Sequence, residues 1–292
     1  MIFLRPLTAD LTLDPHLSMY SRDIVSAKVV KGQPAGQVYG LGSPWVTKPD
    51  KFNRLNICGE NSPCLSTTVR DAEQHYAVGP PYIAHRDDMF QIAKYWVDFV
   101  PRVYEGLPHL LAEMYAYSMA AAHLKLPHVS IGNYMISNIL VGEDMEGWGA
   151  IQGLGHSCPA GLSAYVGEGV LGPRRYDFPK HWLPPLLHYC QFYRVGRDGF
   201  HKGLVPDKIL SCDSQDYLVE PTPEIFSLRH KEKDHGTIEQ MSEQHVTRSS
   251  FMLCTIPRYI NDAVNYYRRQ VCGSADRYPD DAHKTVYARH IK

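Results

Sequence analysis

The residues of this sequence that could do chemistry are dispersed along the chain. Glu113 is a carboxylate within an apolar, helix-like run, and His188 is an imidazole within an apolar, strand-like run. His201 and Lys202 belong to a short basic turn, and Gly79 opens a Gly-Pro-Pro bend. Carboxylates and imidazoles bind divalent cations, and basic groups stabilise a leaving diphosphate. This combination indicates a metal-assisted reaction that releases a diphosphate.

Glu113 lies in the stretch Pro108–Leu124, which is apolar on nearly every side. Its alanines, leucines and methionines favour a helix, and Pro108 suits the first turn of that helix. A helix that is hydrophobic all round is expected to be buried. Glu113 would share one face with Ala116 and Tyr117, where small alanines leave room for a ligand. Two interpretations stay open: a structural carboxylate in a buried ion pair, or a carboxylate that faces a polar cavity.

Other elements must position these residues. We expect a strand over Tyr76–Ala84 that the Gly-Pro-Pro bend interrupts, and a helix over about Asp87–Val100 capped by Asp87. His188 is expected on a buried strand within Trp182–Arg194. An amphipathic helix is expected over Phe251–Cys272. The charged stretch 229–248 is typical of a solvated linker.

Composition limits the classes of partner. The chain has 292 residues and a formal net charge of -1 with both signs dispersed. It therefore gives no electrostatic reason to expect nucleic acid or an anionic membrane as partner. Seven cysteines are present without a C-x-x-C pair, which argues against a zinc ribbon or a thioredoxin motif. Candidate disulfides are Cys58 with Cys64 and Cys254 with Cys272, although spacing alone does not establish connectivity.

Several familiar motifs are missing from the sequence. It contains no P-loop, no H-E-x-x-H and no G-x-S-x-G. His123 and His128 are five residues apart across a helix end and a proline, which makes them poor co-ligands. We find no targeting signal, and no stretch approaches the ~18 apolar residues that a membrane span needs. Taken literally, these features indicate a soluble cytoplasmic chain.

Five segments resemble one family of enzymes. They are Met1–Thr8, Val78–Ile83, Leu111–His123, Gly147–Trp148 and Leu187–Gln191. These segments look like the peptidyl serine α-galactosyltransferases of plants and green algae, over most of residues 1–272. The related hydroxyproline O-arabinosyltransferases are similar over the Glu-Met-Tyr and His-Tyr segments and over the last helix.

The resemblance implies an α/β fold of the GT-A type, which binds a nucleotide sugar. The implied reaction moves galactose from UDP-galactose to serine in hydroxyproline-rich, extensin-like proteins, with manganese, in the lumen of the Golgi or endoplasmic reticulum. The cysteine content agrees with a secretory compartment, and a membrane anchor, if any, would lie outside this chain. Residues 1–228 would form the catalytic core, 229–248 a linker, and 249–292 a C-terminal helix and tail.

One departure from the family concerns the N-terminus. Members carry an Asp-x-Asp motif, which holds the metal and the diphosphate, immediately before the segment matched by Met1–Leu7. That motif is absent from this sequence. We therefore expect an incomplete nucleotide-binding sheet, and one interpretation of this departure is a fragment without activity. The alternatives are a non-catalytic glycan- or peptide-binding remnant and a hydroxyproline O-arabinosyltransferase.

The resemblance also implies roles for single residues. His188 would be a metal ligand, and Gly79 would lie beside the donor sugar. Glu113 would lie beside the reacting sugar, either as nucleophile or as a stabiliser of positive charge on that sugar. His201 and Lys202 would neutralise the diphosphate, and Trp148 would stack on a sugar face. Glu113 is accordingly expected to face the same cavity as Gly79 and His188.

Overall fold

The structure is a computed structural model of the chain, with mixed α/β content. It describes residues 2–3, 29–152, 184, 186–233, 236–273 and 284–285. The chain divides into two compact units. We call Leu7–Met135 with Glu143–Gly147 the helical unit, and Met1–Pro6, Ile136–Gly142 and Trp148–Lys292 the C-terminal unit. The boundaries expected at 228 and 248 do not coincide with these units, because both fall inside the C-terminal unit.

The helical unit is built mainly from six α-helices in its described part. They are α1 Pro44–Thr47, α2 Arg54–Cys58, α3 Pro63–Ser66, α4 Val69–Asp71, α5 Arg86–Gly106 and α6 Ala112–His123. A π-helical turn, Ala72–Tyr76, follows α4 directly. Phe99 and Val103 of α5 share a hydrophobic core with the alanines of α6. The apolar run expected to form a buried helix therefore does so, although α6 begins four residues after Pro108.

A three-stranded sheet completes the helical unit. Its central strand β2, Ala35–Val38, pairs antiparallel with β3, Val78–Ile83, and parallel with β4, Val129–Ile131. The expected interruption of β3 takes the form of a register shift: the strand runs over Val78–Ile83, but its pairing with β2 passes from Gly79 directly to Tyr82 and leaves Pro80 and Pro81 without a partner in β2. Proline lacks a backbone donor and is tolerated on an edge strand, and β3 is at the edge of this sheet.

Helix α5 is longer than its sequence predicts. It was expected to end near Val100, because the residue before a proline tends to leave the helical conformation. The helix instead runs through Pro101 to Gly106. Val103 lies beyond the proline and is fully buried, so packing on the core offsets the local cost of Pro101. The N-cap is His85, whose side chain accepts a hydrogen bond from the backbone of Asp87.

The C-terminal unit combines short strands with two helices in its described part. The helices are α7 Trp148–Gln152 and α8 Glu243–Tyr267, and a π-helical turn, Arg268–Cys272, continues α8. The strands are β1 Ile2–Phe3, β5 Met135–Ile136, β6 Leu186–Leu187, β7 Tyr193–Val195, β8 Asp198–Phe200, β9 Tyr217–Leu218, β10 His230–Glu232, β11 Ile238–Gln240 and β12 Lys284–Thr285. They pair in the orders β1-β6-β5, β7-β8, β10-β11 and β9-β12. Each described sheet has two or three strands, so a GT-A fold stays a prediction.

The charged stretch 229–248 is not a solvated linker. It forms the β10–β11 hairpin, in which Lys231 and Glu239 make a 3.0 Å ion pair. Helix α8 then begins at Glu243, and the Ser242 hydroxyl caps it by accepting a hydrogen bond from the His245 backbone. The prediction was wrong because charges of opposite sign pair across a hairpin, which a count of charged residues along the chain does not reveal.

The disulfides confirm one expected pair and correct the other. Cys58 is bonded to Cys64, as expected. Cys272 is bonded to Cys212 rather than to Cys254, which itself forms a disulfide. The expected pair was wrong because one helical segment separates its two members. Eighteen residues rise about 27 Å along a helix, whereas bonded cysteines have Cα atoms within about 7 Å.

Candidate functional site

Glu113 lies in the first turn of α6 and its side chain is exposed, although the residues around it are buried. No ion pair or hydrogen bond to its carboxylate occurs among the described residues, so a buried structural ion pair does not explain it. Its backbone carbonyl accepts a 2.7 Å hydrogen bond from the indole of Trp96. Partial burial raises the pKa of the Glu113 carboxyl. Glu113 is therefore an accessible carboxylate at the positive end of a buried helix.

The opening expected beside Glu113 is filled by core packing. Ala116, Tyr117 and Ala120 are fully buried. The Tyr117 hydroxyl forms a 2.8 Å hydrogen bond with Nε2 of His128, whose Nδ1 donates to the Leu126 carbonyl at 3.0 Å. Burial lowers the pKa of His128 to about 4, so its imidazole is neutral at pH 7. This face of α6 is thus structural beyond its first turn.

Tyr82 is a residue near Glu113 that the sequence did not single out. Its ring stacks on that of Tyr117 with centroids 3.7 Å apart, and Trp96 meets both rings edge-on. Burial raises the pKa of the Tyr82 phenol, and the charges of Tyr117 and Glu113 raise it further. Within the described residues the buried Tyr82 hydroxyl has no hydrogen-bond partner. The only sequence signal for Tyr82 is its position directly after the Gly-Pro-Pro bend.

Gly79 is required by packing inside the protein. A Cβ atom there would lie 2.3 Å from the ring of Tyr39 and 2.6 Å from Cε of Met114. Both distances are impossible for real atoms, so a side chain at this position would displace the core. Met114 directly follows Glu113, so the structure brings Gly79 and Glu113 to one part of the helical unit. A role of Gly79 beside a donor sugar stays a prediction.

His188 follows β6 in the C-terminal unit and is half-buried. Its backbone N–H donates to the Ile136 carbonyl at 3.0 Å, and its carbonyl accepts a 3.3 Å hydrogen bond from Tyr193. In the described part of the chain the buried Nδ1 atom has no hydrogen-bond partner. Burial lowers the pKa of His188, and the charge of Lys202 contributes to this effect. The neutral imidazole that results is the form that binds a metal ion.

The two basic residues of the candidate site follow β8. Lys202 is exposed and begins a short 3-10 turn that ends at Leu204. Nδ1 of His201 accepts a 3.1 Å hydrogen bond from the Gly203 backbone, and its ring meets that of Phe192 edge-on at 5.0 Å. The positive charge of Lys202 contributes to the lowered pKa of His188, so the two side chains interact electrostatically. Three expected site residues therefore belong to one part of the C-terminal unit.

Trp148 begins α7 and is fully buried in the core of the C-terminal unit. Its indole N–H donates a 2.9 Å hydrogen bond to the Asn138 carbonyl, and the Arg248 guanidinium lies 5.2 Å from its ring centroid. Stacking on a sugar would require the indole to leave this core. We therefore do not include Trp148 in the candidate site.

The structure divides the remaining residues into two sets. Gly79, Tyr82 and Glu113 belong to the helical unit, whereas His188, His201 and Lys202 belong to the C-terminal unit. The expectation that Glu113 and His188 share a cavity stays a prediction. Among the described residues, no group of three or more histidine, cysteine or acidic side chains could hold a metal ion. None of the described helices is both long and apolar enough to cross a membrane.

Comparison with known proteins does not assign this chain to a family. Residues 4–8, which carry part of the resemblance noted above, lie outside the described residues. No protein-family model, no curated protein and no solved structure matches this chain.

Proposed function

We propose that this chain is a retaining glycosyltransferase that moves galactose from UDP-galactose to serine of hydroxyproline-rich, extensin-like proteins. The observation that carries the proposal is the buried Nδ1 atom of the His188 imidazole, which has no hydrogen-bond partner among the described residues, together with the charge of Lys202 that acts on this imidazole. This pair combines a nitrogen ligand for a metal ion with a positive charge for a diphosphate. The sugar and the acceptor come from the resemblance of the segments around Glu113 and His188.

The C-terminal unit would handle the leaving group. Manganese, when bound, would neutralise part of the charge that develops on the diphosphate. His188 fits a metal ion because its imidazole is neutral and one ring nitrogen is unused. Lys202, which is exposed, would contact the diphosphate directly, and His201 next to it would add a hydrogen-bond donor. We include a GT-A-like fold in the proposal, since that fold binds nucleotide sugars.

The resemblance gives Glu113 as the carboxylate beside the reacting sugar. Galactose is α-linked in UDP-galactose, so an α-linked product on serine means retention at C1. In one route, the Glu113 carboxylate attacks C1 as UDP leaves, and the serine hydroxyl then displaces Glu113 from C1 and gives its proton to the phosphate of the released UDP. In the other, serine attacks on the face that UDP leaves, the departing phosphate accepts the serine proton, and Glu113 stabilises the positive sugar. Both routes require ionised Glu113, so its raised pKa predicts that activity falls as pH drops through that value.

The test is an assay of the full chain with UDP-galactose, manganese and a serine-containing, hydroxyproline-rich peptide, read by mass spectrometry of the peptide. We expect Glu113→Gln and His188→Ala each to reduce transfer by about 100-fold or more. Glu105→Gln and His230→Ala are matched controls, because each changes the same residue type in the same unit away from the candidate site. Wild-type rates of transfer in both Glu113→Gln and His188→Ala would contradict the roles proposed for these two residues.

The same assay separates the alternatives. Transfer from UDP-arabinofuranose in place of UDP-galactose would identify a hydroxyproline O-arabinosyltransferase. Binding of the peptide without turnover of either donor would identify a non-catalytic glycan- or peptide-binding protein. We also propose the lumen of the Golgi or endoplasmic reticulum as the location, because the Cys58–Cys64 and Cys212–Cys272 disulfides need an oxidising compartment.

A further inference from the structure

Helix α5 carries an apolar stripe on its outer face. Phe90, Val97 and Tyr104 are 68%, 74% and 55% exposed, and each is seven residues from the next. Seven residues are close to two helical turns, so the three side chains lie in one row about 21 Å long. The opposite face of α5 carries Ile92 and Val103, which are buried in the helical unit. We call Phe90, Val97 and Tyr104 the α5 stripe.

The α5 stripe differs from other exposed hydrophobic residues of the helical unit. Single exposed hydrophobic side chains such as Leu55 and Val69 are ordinary on protein surfaces and need no partner. A row at heptad spacing on a 21-residue helix instead presents one apolar side chain per heptad along a line that a second helix can follow. The stripe therefore indicates a helix as its partner.

Charges beside the stripe favour one orientation of that partner. Lys94 and Asp98 are exposed on the same flank of the stripe, one helical turn apart. Asp98 also pairs with Arg102 on its own helix. If a second α5 lay parallel and in register, the two Lys94–Asp98 flanks would lie on opposite sides of the helix pair, so Lys94 would not meet Asp98 of the partner subunit. If it lay antiparallel and centred on Val97, Lys94 would lie beside Asp98 of the partner subunit, and the reciprocal pair would form by symmetry.

We propose that the α5 stripe is a dimer interface, in which α5 packs antiparallel against α5 of a second copy of this chain. Phe90 then contacts Tyr104 of the partner subunit, and Val97 lies on the twofold axis. The interface is self-complementary in both apolar contacts and charge. Because one helix pair buries less than the roughly 1,600 Å² of a standard interface, the dimer is weak and forms at micromolar or higher concentration. This inference does not rest on the proposed enzyme activity.

Analytical ultracentrifugation of the full chain over a range of concentrations tests the proposal. We expect a monomer–dimer equilibrium whose Kd rises at least tenfold in Val97→Asp. Leu55→Asp is the matched control, because Leu55 is a similarly exposed hydrophobic residue of the same unit, and its Kd should stay at the wild-type value. Unchanged circular dichroism and melting temperature show that the variants remain folded. A chain that stays monomeric, or a dimer that Val97→Asp does not weaken, overturns the proposal.

Charge exchange tests the antiparallel arrangement. Lys94→Asp and Asp98→Lys should each raise the Kd several-fold, because each places like charges together across the interface. The double variant restores opposite charges and should return the Kd to near the wild-type value. Arg102→Gln controls for loss of the pair within α5 and should leave the Kd unchanged. A double variant that dimerises no better than the single variants contradicts the antiparallel arrangement.

Discussion

The two units are each organised around a helix, but α6 and α8 are buried for different reasons. Along α6, every residue from Met114 to Ala122 is buried, and the polar groups among their side chains are the hydroxyls of Tyr115, Tyr117 and Ser118. Along α8, the buried side chains include many polar ones. They are Thr247, Arg248, Ser249, Ser250, Thr255 and Asn261. Composition explains the burial of α6, whereas the burial of α8 requires partners for polar groups.

Backbone groups of neighbouring segments are the partners of Arg248, Ser250 and Asn261, whereas the hydroxyls of Ser249 and Thr255 have no hydrogen-bond partner among the described residues. Arg248 donates hydrogen bonds to the carbonyls of Ile139 and Val141 at 3.0 and 2.7 Å. The Asn261 amide donates to the Leu218 carbonyl and accepts from the Leu218 N–H, each at 2.7 Å. Short strands and loops leave many backbone groups unpaired, and the side chains of α8 satisfy them. Thus α6 packs mainly through apolar side chains, whereas α8 adds buried hydrogen bonds from polar side chains to its own apolar contacts.

The largest effect is expected from Arg248→Met. The substitution removes the hydrogen bonds that Arg248 donates to the carbonyls of Ile139 and Val141, and it removes the positive charge beside the ring of Trp148. The free energy of unfolding should fall by about 3–5 kcal/mol, measured by urea titration. Arg258→Met is the matched control, since Arg258 pairs with the partly exposed Glu220 and should contribute only about 1 kcal/mol or less. Equal losses in the two variants would refute the role of hydrogen bonds in α8.

Met119→Ala tests the contribution of volume in α6. Met119 is fully buried in the core that α5 and α6 share. Its truncation should leave a cavity and lower the free energy of unfolding by about 3 kcal/mol. Leu55→Ala, at an exposed position of the same unit, should change it by less than about 0.5 kcal/mol. A small loss for Met119→Ala in urea unfolding would show that α6 is not tightly packed.

A matched pair of polar truncations compares the two helices directly. Asn261→Ala leaves both backbone groups of Leu218 unpaired and should cost about 2–3 kcal/mol. Ser118→Ala removes a 2.6 Å hydrogen bond to the Tyr76 carbonyl and should cost about 1 kcal/mol. Both costs are measurable by thermal or urea unfolding at one pH. Reversal of their order would contradict the distinction between the helices.

The smallest expected effect is a dependence of the free energy of unfolding on pH, which we assign to His128 of the helical unit. Folded His128 has a pKa of about 4, against 6.5 for the ordinary residue. As pH falls, His128 is therefore protonated in the unfolded chain before it is protonated in the folded protein. Its contribution to the free energy of unfolding is fully present above about pH 6.5 and declines towards pH 4. Between pH 7 and pH 5 the loss should be about 1–2 kcal/mol. In His128→Gln this decline should be smaller, with the remainder due to His123 and His188, whose pKa values burial also lowers. An identical decline in the variant would contradict the assignment to His128.

Prediction from sequence succeeded where one local rule dominates. The composition of α6 is apolar on all sides, so its burial follows without knowledge of its neighbours. The Cys58–Cys64 pair lies six residues apart, and only a local turn is needed to close it. Prediction failed where distant partners decide the outcome. The hairpin of 229–248, the bond between Cys212 and Cys272 and the extension of α5 past Pro101 all depend on contacts outside the local sequence.

The candidate site shows the same division. The sequence was enough to select the side chains that we propose for chemistry, because the carboxylate of Glu113 and the imidazole of His188 stand out in apolar surroundings. Only the tertiary structure decided that Glu113 is exposed on a buried helix, that Tyr82 lies beside it, and that Trp148 belongs to the core. Exposure and pKa depend on which groups pack around a side chain, and those groups come from other parts of the chain. Residue type is local, whereas environment is a property of the fold.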